Sequence, residues 1–489
     1  MRFAVLLSLV CYLLAGAPAS AEPSLADSAW PIYHANTGAT ASSPYLGPGP
    51  VREASSVPAL TSKRLRKPSV SPWTVMATPY MDGSQAIMTT PNDGIAKYLL
   101  RNGELEQISF LKLSRRFFDF DWGILLLDDG RGISTEQRED RFVIFADRTP
   151  APEAELIITG YISVDRELYG QLTAHFTLAP DGRLITLTSA NKLLAVDIEE
   201  RTVVATYDLP NDSGTSFHNS FPIDEAGRIY LSTQTLMAAI DWDGDTFSLA
   251  WKASYDMRGP GCESDVLLKP RQEFMAVARG KPCTGSGTTP TLLGDQNTGV
   301  VIIVDGHSPR NHLVAFWRDK PPVDWLPVQH ASDPSLLLDE HVAATFALPL
   351  STPESKGFTA ENSPAALGDA VIVAQWAGFK PGREPPRGLQ RVDWLPDKRR
   401  FSLVWANPDV HFNGVPTIAC QSRIDCHAYG MGRYGREYRY TSVDFETGAV
   451  SGVVTLGNRD DVLDQGNNHA IAADGSIVYS GRFRMVNVR

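Results

Sequence analysis

The sequence predicts an all-β protein: a single β-propeller of seven or eight four-stranded blades, its ring closed by a strand from the N-terminal side. Three observations carry this. Beyond residue 21, apolar residues alternate or form short runs of strand length, and almost nowhere follow the ~3.6-residue period of a helix. Gly, Asp and Asn turns punctuate those runs. The resulting strand–turn unit recurs about every 40 residues, the size of one propeller blade.

The elements follow in chain order. Met1-Arg2-Phe3, the apolar run from Ala4 to Ala15 and the small residues Ala19 and Ala21 are the three parts of a secretory leader. Residues 1–21 are therefore expected to be removed, and the mature chain to be periplasmic or secreted. Residues 22–70, rich in Pro, Ser, Gly and Ala, are expected to wrap the propeller formed by residues 71–489. No later stretch reaches the ~18 apolar residues of a membrane span.

The clearest blade runs from His175 through Asp181-Gly182 and Leu193–Asp197 to Thr202–Tyr207, and a second from Asn219 through Gly227 and Met237–Asp241 to Trp251. Further blades begin near Thr288, Asn362, Asn413 and Asn468, a weaker one near Ala77-Thr78-Pro79, and residues 115–167 have room for one more. The last unit reaches only two or so strands before Arg489, so an N-terminal strand is expected to complete it and remove an open sheet edge.

Charge and cysteine usage narrow the function. With 45 basic and 56 acidic residues, a net charge of −11, the surface repels phosphate backbones, which excludes nucleic acid as a partner. Apart from Cys11 in the leader, the cysteines are Cys262, Cys283, Cys420 and Cys426. In an oxidising compartment these pair as disulfides, Cys262 with Cys283 and Cys420 with Cys426 by proximity, and neither spacing is that of a zinc site.

Aligning the blade starts places Asn219, Asn362, Asn413 and Asn468 at one register, just before the first strand, with Thr288 and His175 at the matching place in two other blades. That register lies at one mouth of the central channel. Amide oxygens gathered there beside a carboxylate such as Glu361 suit calcium, which takes ~6–8 oxygen ligands. His175, His218 and His469 are the candidate catalytic groups. The plainer reading is that Asn before a strand caps its own backbone and repeats copy it.

Two resemblances bear on this. Trp30-Pro31-Ile32-Tyr33-His34, with Thr37-Gly38 and Ser43-Pro44, resembles the opening of propellers built from pyrroloquinoline-quinone-type repeats. Asn219-Ser220, followed by Asp224, Gly227 and Tyr230, resembles the blades of calcium-dependent propeller lactonases, the gluconolactonase, paraoxonase and strictosidine-synthase relatives. That second likeness implies Asn219, Asn362, Asn413 and Glu361 as metal ligands and His218 or His469 as general base. Ser220 and Ser363 depart from it, standing where Gly follows the Asn.

A quinone-dependent dehydrogenase is the other family reading. Ser442–Gly448 follows its repeat, but Gly452 stands where a docking Trp belongs and no adjacent cysteine pair is present, which disfavours bound quinone. Gly430–Gly435 matches a dinucleotide fingerprint, yet it lies among strands and reads as a hairpin. No Gly-x-Ser-x-Gly elbow, His-Glu-x-x-His pair or phosphate loop occurs.

The sequence thus supports an exported enzyme acting on a small molecule at the channel mouth, a calcium-assisted hydrolase or lyase. A non-catalytic scaffold that binds a protein partner and a quinone oxidoreductase are the alternatives. Long insertions around Gly259–Gly287 and Asp319–Thr359 have the length to wall a pocket.

Overall fold

A computed structural model describes residues 22–60, 73–114 and 123–489, apart from 92, 211–216, 218, 234, 256–285, 287, 296–297, 306–309, 330–334, 351–361, 376–386, 423, 459–468 and 482. The leader, residues 1–21, lies outside the described residues. Eight blades form a closed ring. Strand β1 (Ala54–Pro58) comes first in the chain. The first blade then comprises β2 (Thr74–Met76), β3 (Gln85–Thr89), β4 (Gly94–Arg101) and β5 (Glu104–Lys112), and the second β6 (Ile124–Leu126), β7 (Arg131–Glu136), β8 (Arg141–Asp147) and β9 (Leu156–Ser163). The third holds β10 (Leu172–Leu178), β11 (Leu184–Thr188), β12 (Lys192–Asp197) and β13 (Thr202–Asp208).

In the fourth blade the innermost strand shrinks to the single bridge Ile223–Ile229, inside β14 (Arg228–Ser232), β15 (Leu236–Trp242) and β16 (Phe247–Ser254). The fifth has β17 (Thr291–Leu293), β18 (Val300–Val304), β19 (His312–Trp317) and β20 (Val342–Ala347); the sixth β21 (Ala365–Leu367), β22 (Ala370–Ala374), β23 (Leu389–Leu395) and β24 (Arg400–Asn407). The seventh has β25 (Thr417–Ser422), β26 (Asp425–Tyr434), β27 (Glu437–Asp444) and β28 (Val450–Gly457). The eighth joins β29 (His469–Ile471), β30 (Ile477–Ser480) and β31 (Arg484–Val488) to β1, which pairs antiparallel with β31 from Ala54–Val488 to Pro58–Arg484. The first blade begins at Thr74, a few residues before the Ala77 expected from sequence.

Burial explains the strand sequences. Central strands lie between two neighbouring blades, so β11 is buried at every residue, while the outer strand β13 alternates exposed and half-buried. The only described helices are the single turns Arg166–Tyr169 and Pro396–Lys398, and no described helix is long and apolar enough to cross a membrane.

Neighbouring blades are clasped by side chains of one blade on main-chain carbonyls of the next. Trp405 Nε1 donates to Phe445 O (2.9 Å), as does Arg391 Nη1 (3.0 Å), and the pattern recurs two blades earlier with Trp251 (3.3 Å) and Arg228 (2.7 Å) on Arg318 O. Gly448 sits beneath the Trp405 ring with φ +72°; a Cβ there would lie 2.5 Å from the indole, so this turn requires Gly. In the seventh blade no such Trp fits, because a Cβ on Gly452 would lie 2.5 Å from Val51 O on the N-terminal segment. Gly430 and Gly432 lie in β26 of the β26–β27 hairpin, whose turn carries Gly435. Cys420 and Cys426, opposed across the β25–β26 hairpin, form a disulfide, whereas Cys262 and Cys283 lie outside the described residues.

The N-terminal segment runs through the centre of the ring. Its carbonyls accept hydrogen bonds from the innermost strands in turn: Trp30 from Met76, Pro31 from Leu126, Thr37 from Ile223, Gly38 from Leu292, Thr40 from Ala366 and Ala41 from Ile418. These N–H groups on the innermost sheet edges therefore find partners without water. Following the edges of successive blades bends the segment sharply, and His34, Ala35, Ala39 and Ala41 all take positive φ.

Candidate functional site

The connections from each blade's outer strand to the next blade's inner strand all reach one face, here the upper one, and the blade-start residues stand around its channel mouth. Three consecutive blades meet there. Asn219 Nδ2 donates to Thr288 O (3.3 Å), tying the fourth blade to the fifth. Thr288 Oγ1 contacts Ser286 Oγ (2.8 Å) and accepts from Val304 N (3.1 Å).

Thr289 is the centre of a tighter knot. Its Oγ1 lies 2.6 Å from Ser220 Oγ, 2.7 Å from Tyr33 OH and 3.3 Å from His34 Nε2, and its main-chain N donates to Ser363 Oγ at 2.9 Å. Ser220 and Ser363 thus have a physical reason for replacing Gly: their hydroxyls join three blades at the rim. Asn362, buried beside Ser363, has no partner for Nδ2 among the described residues. Asn413 is buried at the start of the seventh blade, its main-chain N donating to Met431 O (2.7 Å).

The histidines are dispersed. His175 is half-buried, its ring 6.3 Å from that of Trp73, which stacks on Tyr33 at 4.0 Å and 7°. His469 is buried between the last two blades, with Nδ1 2.9 Å from Tyr440 OH. His218, Glu361 and Asn468 lie outside the described residues. The structure therefore brings Asn219 to Thr288, and Ser220 and Ser363 to Thr289, while His175 and His469 belong to other parts of the ring.

The centre of the ring is electrically neutral. Burial holds His34 down to a pKa of about 3 and pushes the Tyr33 phenol up, so both are uncharged near neutral pH. Among the described residues no group of three or more His, Cys, Asp or Glu could hold a metal ion. The described rim donors are hydroxyls and amides, so any negative charge for a dication has to come from a residue such as Glu361.

The lactonase-like motif divides between the two faces. Asn219 and Ser220 belong to the mouth. Asp224 builds the turn on the opposite face, accepting from the N–H groups of Ala226 (3.0 Å) and Arg228 (2.9 Å), from Tyr230 OH (2.9 Å) and from Arg318 of the next blade (3.1 Å).

Sequence reasoning missed Tyr33, His34 and Thr289, and also a buried pair on the fifth blade. Asp305 Oδ1 accepts from His312 N (2.5 Å) while its Oδ2 lies 3.2 Å from His312 Nδ1, a carboxylate orienting an imidazole. Asp305 directly follows Val304, whose N–H meets Thr288. The Tyr33-His34 pair inside an otherwise apolar or small-residue stretch was the available signal.

No protein-family model matches the chain. An uncharacterised protein of Archaeoglobus fulgidus is 26% identical over 251 residues, 47% of this chain and 43% of that protein, so the match spans less than half of either. Among solved structures, a europium-containing methanol dehydrogenase aligns with 94% of this chain and 90% of its own, at 11% identity and a TM-score of 0.58. Quinohemoprotein alcohol dehydrogenases of Pseudomonas putida HK5 (TM-score 0.54, 11% identity) and Comamonas testosteroni (0.52, 10%) each cover 94% of this chain and 80% of their own. At these identities the likeness is one of fold, the propeller. The low place given to a quinone on sequence grounds draws no support from such relatives.

Proposed function

We propose that the chain is an exported propeller enzyme that acts on a small polar molecule at the upper channel mouth, by calcium-assisted hydrolysis or elimination. The observation that carries this reading is the convergence of Asn219, Thr288, Thr289, Ser220, Asn362 and Ser363 on one arc of the rim. Asn362 is the most telling: among the described residues its buried Nδ2 meets no acceptor, so an oxygen of a bound molecule would relieve it while Oδ1 faces a cation. The amide oxygens of Asn219 and Asn362, with the neighbouring Glu361 as the anionic member, would hold the cation. Bound calcium would supply a Lewis acid toward a carbonyl oxygen. The rim hydroxyls and amides would orient the substrate, and His218, next to Asn219 in the chain, would move the proton.

A quinone-dependent oxidoreductase is the second reading, favoured by the fold shared with the methanol and alcohol dehydrogenases. Tyr33 and Trp73 stack on each other and are both buried, so a planar ring would have to part them, and the fold alone carries this reading.

Elemental analysis and an absorbance spectrum of the purified mature protein separate the readings. About one calcium per chain without a chromophore supports the first; a quinone chromophore supports the second; neither turns the search to protein partners. On the calcium reading, Asn362→Ala lowers Tm with calcium present and not in chelator, because ligand binding stabilises only the folded state that holds it. An equal loss in both conditions would make Asn362 a structural residue.

A further inference from the structure

A cleft of about 730 Å³ opens on the flank of the ring, away from the channel, between β16 and the stretch that follows β19. The insertion predicted to wall a pocket does so here, through residues 319–327 on one side and Glu340 and His341 at its return. We propose that this cleft is a binding site for an organic cation, an ammonium or guanidinium group carried on a larger molecule. The proposal is independent of the channel-mouth reading.

The aromatic surfaces come first. Trp251 and His341 stack with ring centroids 4.8 Å apart and planes 19° from parallel, and Trp251 is fixed further by its Nε1 bond to Arg318 O. Trp325, on the facing wall, is held edge-on against Trp317 at 5.3 Å. Pro321, Pro322 and Pro327 stiffen that wall, so the rings are set before a ligand arrives. Trp251 is stacked against both His341 and Phe316 and stiffens the wall, so the indole face offered to a cation is that of half-buried Trp325, and desolvation strengthens such an attraction.

Charge sets the sign of the ligand. Arg228, on the floor, spends its guanidinium on Asp241 (2.5 and 3.2 Å) and on Arg318 O (2.7 Å). Three carboxylates line the cleft, Asp241, Asp319 and Glu340, against Arg228 and Lys320, an excess of one negative charge; Asp241 and Asp319 both meet Arg228, the latter at 3.5 Å, which leaves Glu340 as the carboxylate without an ion pair to Arg228. Burial lowers the pKa of His341 although Asp339 and Glu340 oppose it, so this ring joins the wall without adding a positive charge at neutral pH. The volume exceeds what a bare ammonium head needs and is that of a small-molecule site.

The test uses the full mature chain and two probes, choline and Nα-acetylarginine amide, titrated by calorimetry with tryptophan fluorescence alongside. The control is 3,3-dimethylbutan-1-ol, which has the shape of choline without its charge. Saturable binding of either cation, about tenfold tighter than the neutral isostere, is expected. Choline alone points to a free alkylammonium ligand, and the arginine amide alone points to a basic side chain of a partner protein. Glu340→Gln, at an exposed position, should weaken binding about threefold, and Trp325→Ala about tenfold with Tm nearly unchanged. Equal binding of the isostere, absence of saturation by both cations at about 10 mM (weaker than the millimolar range of a specific site), or tighter binding of a neutral saccharide such as maltose would overturn the proposal.

Discussion

The centre of the ring and the flank cleft are built from the same kinds of residue, aromatic rings with polar groups beside them, and they differ in what solvent permits. At the centre Tyr33 and His34 are 8% and 1% exposed, uncharged, and joined to Thr289 by hydrogen bonds of 2.7 and 3.3 Å. In the cleft Asp319 and Glu340 stand exposed and ionisable beside half-buried Trp325 and His341. A buried polar group has to be neutral and bonded, whereas one at a wet surface keeps its charge. The centre therefore acts as core, and the proposed site is confined to the rim above it. The cleft is an addition to the ring that can change without disturbing closure.

The sharpest way to break this contrast is to remove one tryptophan from each region. Trp30 is 2% exposed, packed among Met76, Ile87, Ala470 and Val478 where the N-terminal segment meets the first and eighth blades. Trp30→Ala should cost about 3–5 kcal/mol in urea unfolding at constant m-value. Trp325→Ala should cost no more than about 1 kcal/mol, the loss of one half-exposed edge-on ring pair. Comparable losses would mean that the insertion is as much a part of the core as the segment through the ring.

The pH dependence of stability sharpens the same point. Folded His34 stays neutral down to about pH 3, whereas an unfolded chain protonates it near 6.5. Between those values the unfolded state binds the extra proton, so stability falls as pH drops through the window. By pH 4 this one residue should remove about 3 kcal/mol, a loss that His34→Gln does not share. The check is the difference between parent and variant in unfolding free energy at pH 7 and pH 4. Equal slopes would show that protons, and hence water, reach His34 in the folded ring.

The parts of this architecture legible in the sequence are those governed by local periodicity. The third blade reads directly from the uniformly apolar β11, the alternating β13 and the turn at Asp181-Gly182. Closure by an N-terminal strand was legible because the last unit has room for only two or so strands; the structure fits three, and β1 supplies the fourth. The rim was half legible: the Asn219 and Asn362 register marks it, but Ser220, Thr289 and Ser363 are about 70 residues apart in sequence and meet only through ring geometry. The course of residues 30–41 was not legible, since a Pro-, Ser- and Ala-rich composition reads as surface coil until six sheet edges offer their N–H groups to it. Asp224, Gly227 and Tyr230 looked like part of a site motif because a turn and a site can share one spacing.

The smallest expected effect tests where the dry interior ends. Ser363 Oγ is the acceptor for the buried N–H of Thr289, and Ser220 Oγ meets the same residue at Oγ1. Ser363→Ala leaves that N–H without its partner and should cost about 1–2 kcal/mol, with Ser220→Ala costing about 1 kcal/mol. Because both act on Thr289, their double-mutant cycle should show coupling of at least about 0.5 kcal/mol. A neutral Ser363→Ala would mean that water replaces the hydroxyl, as it readily does where access exists. The boundary between core and wet site would then lie below the rim, with Thr289 on the solvent side and Tyr33 as the first buried residue.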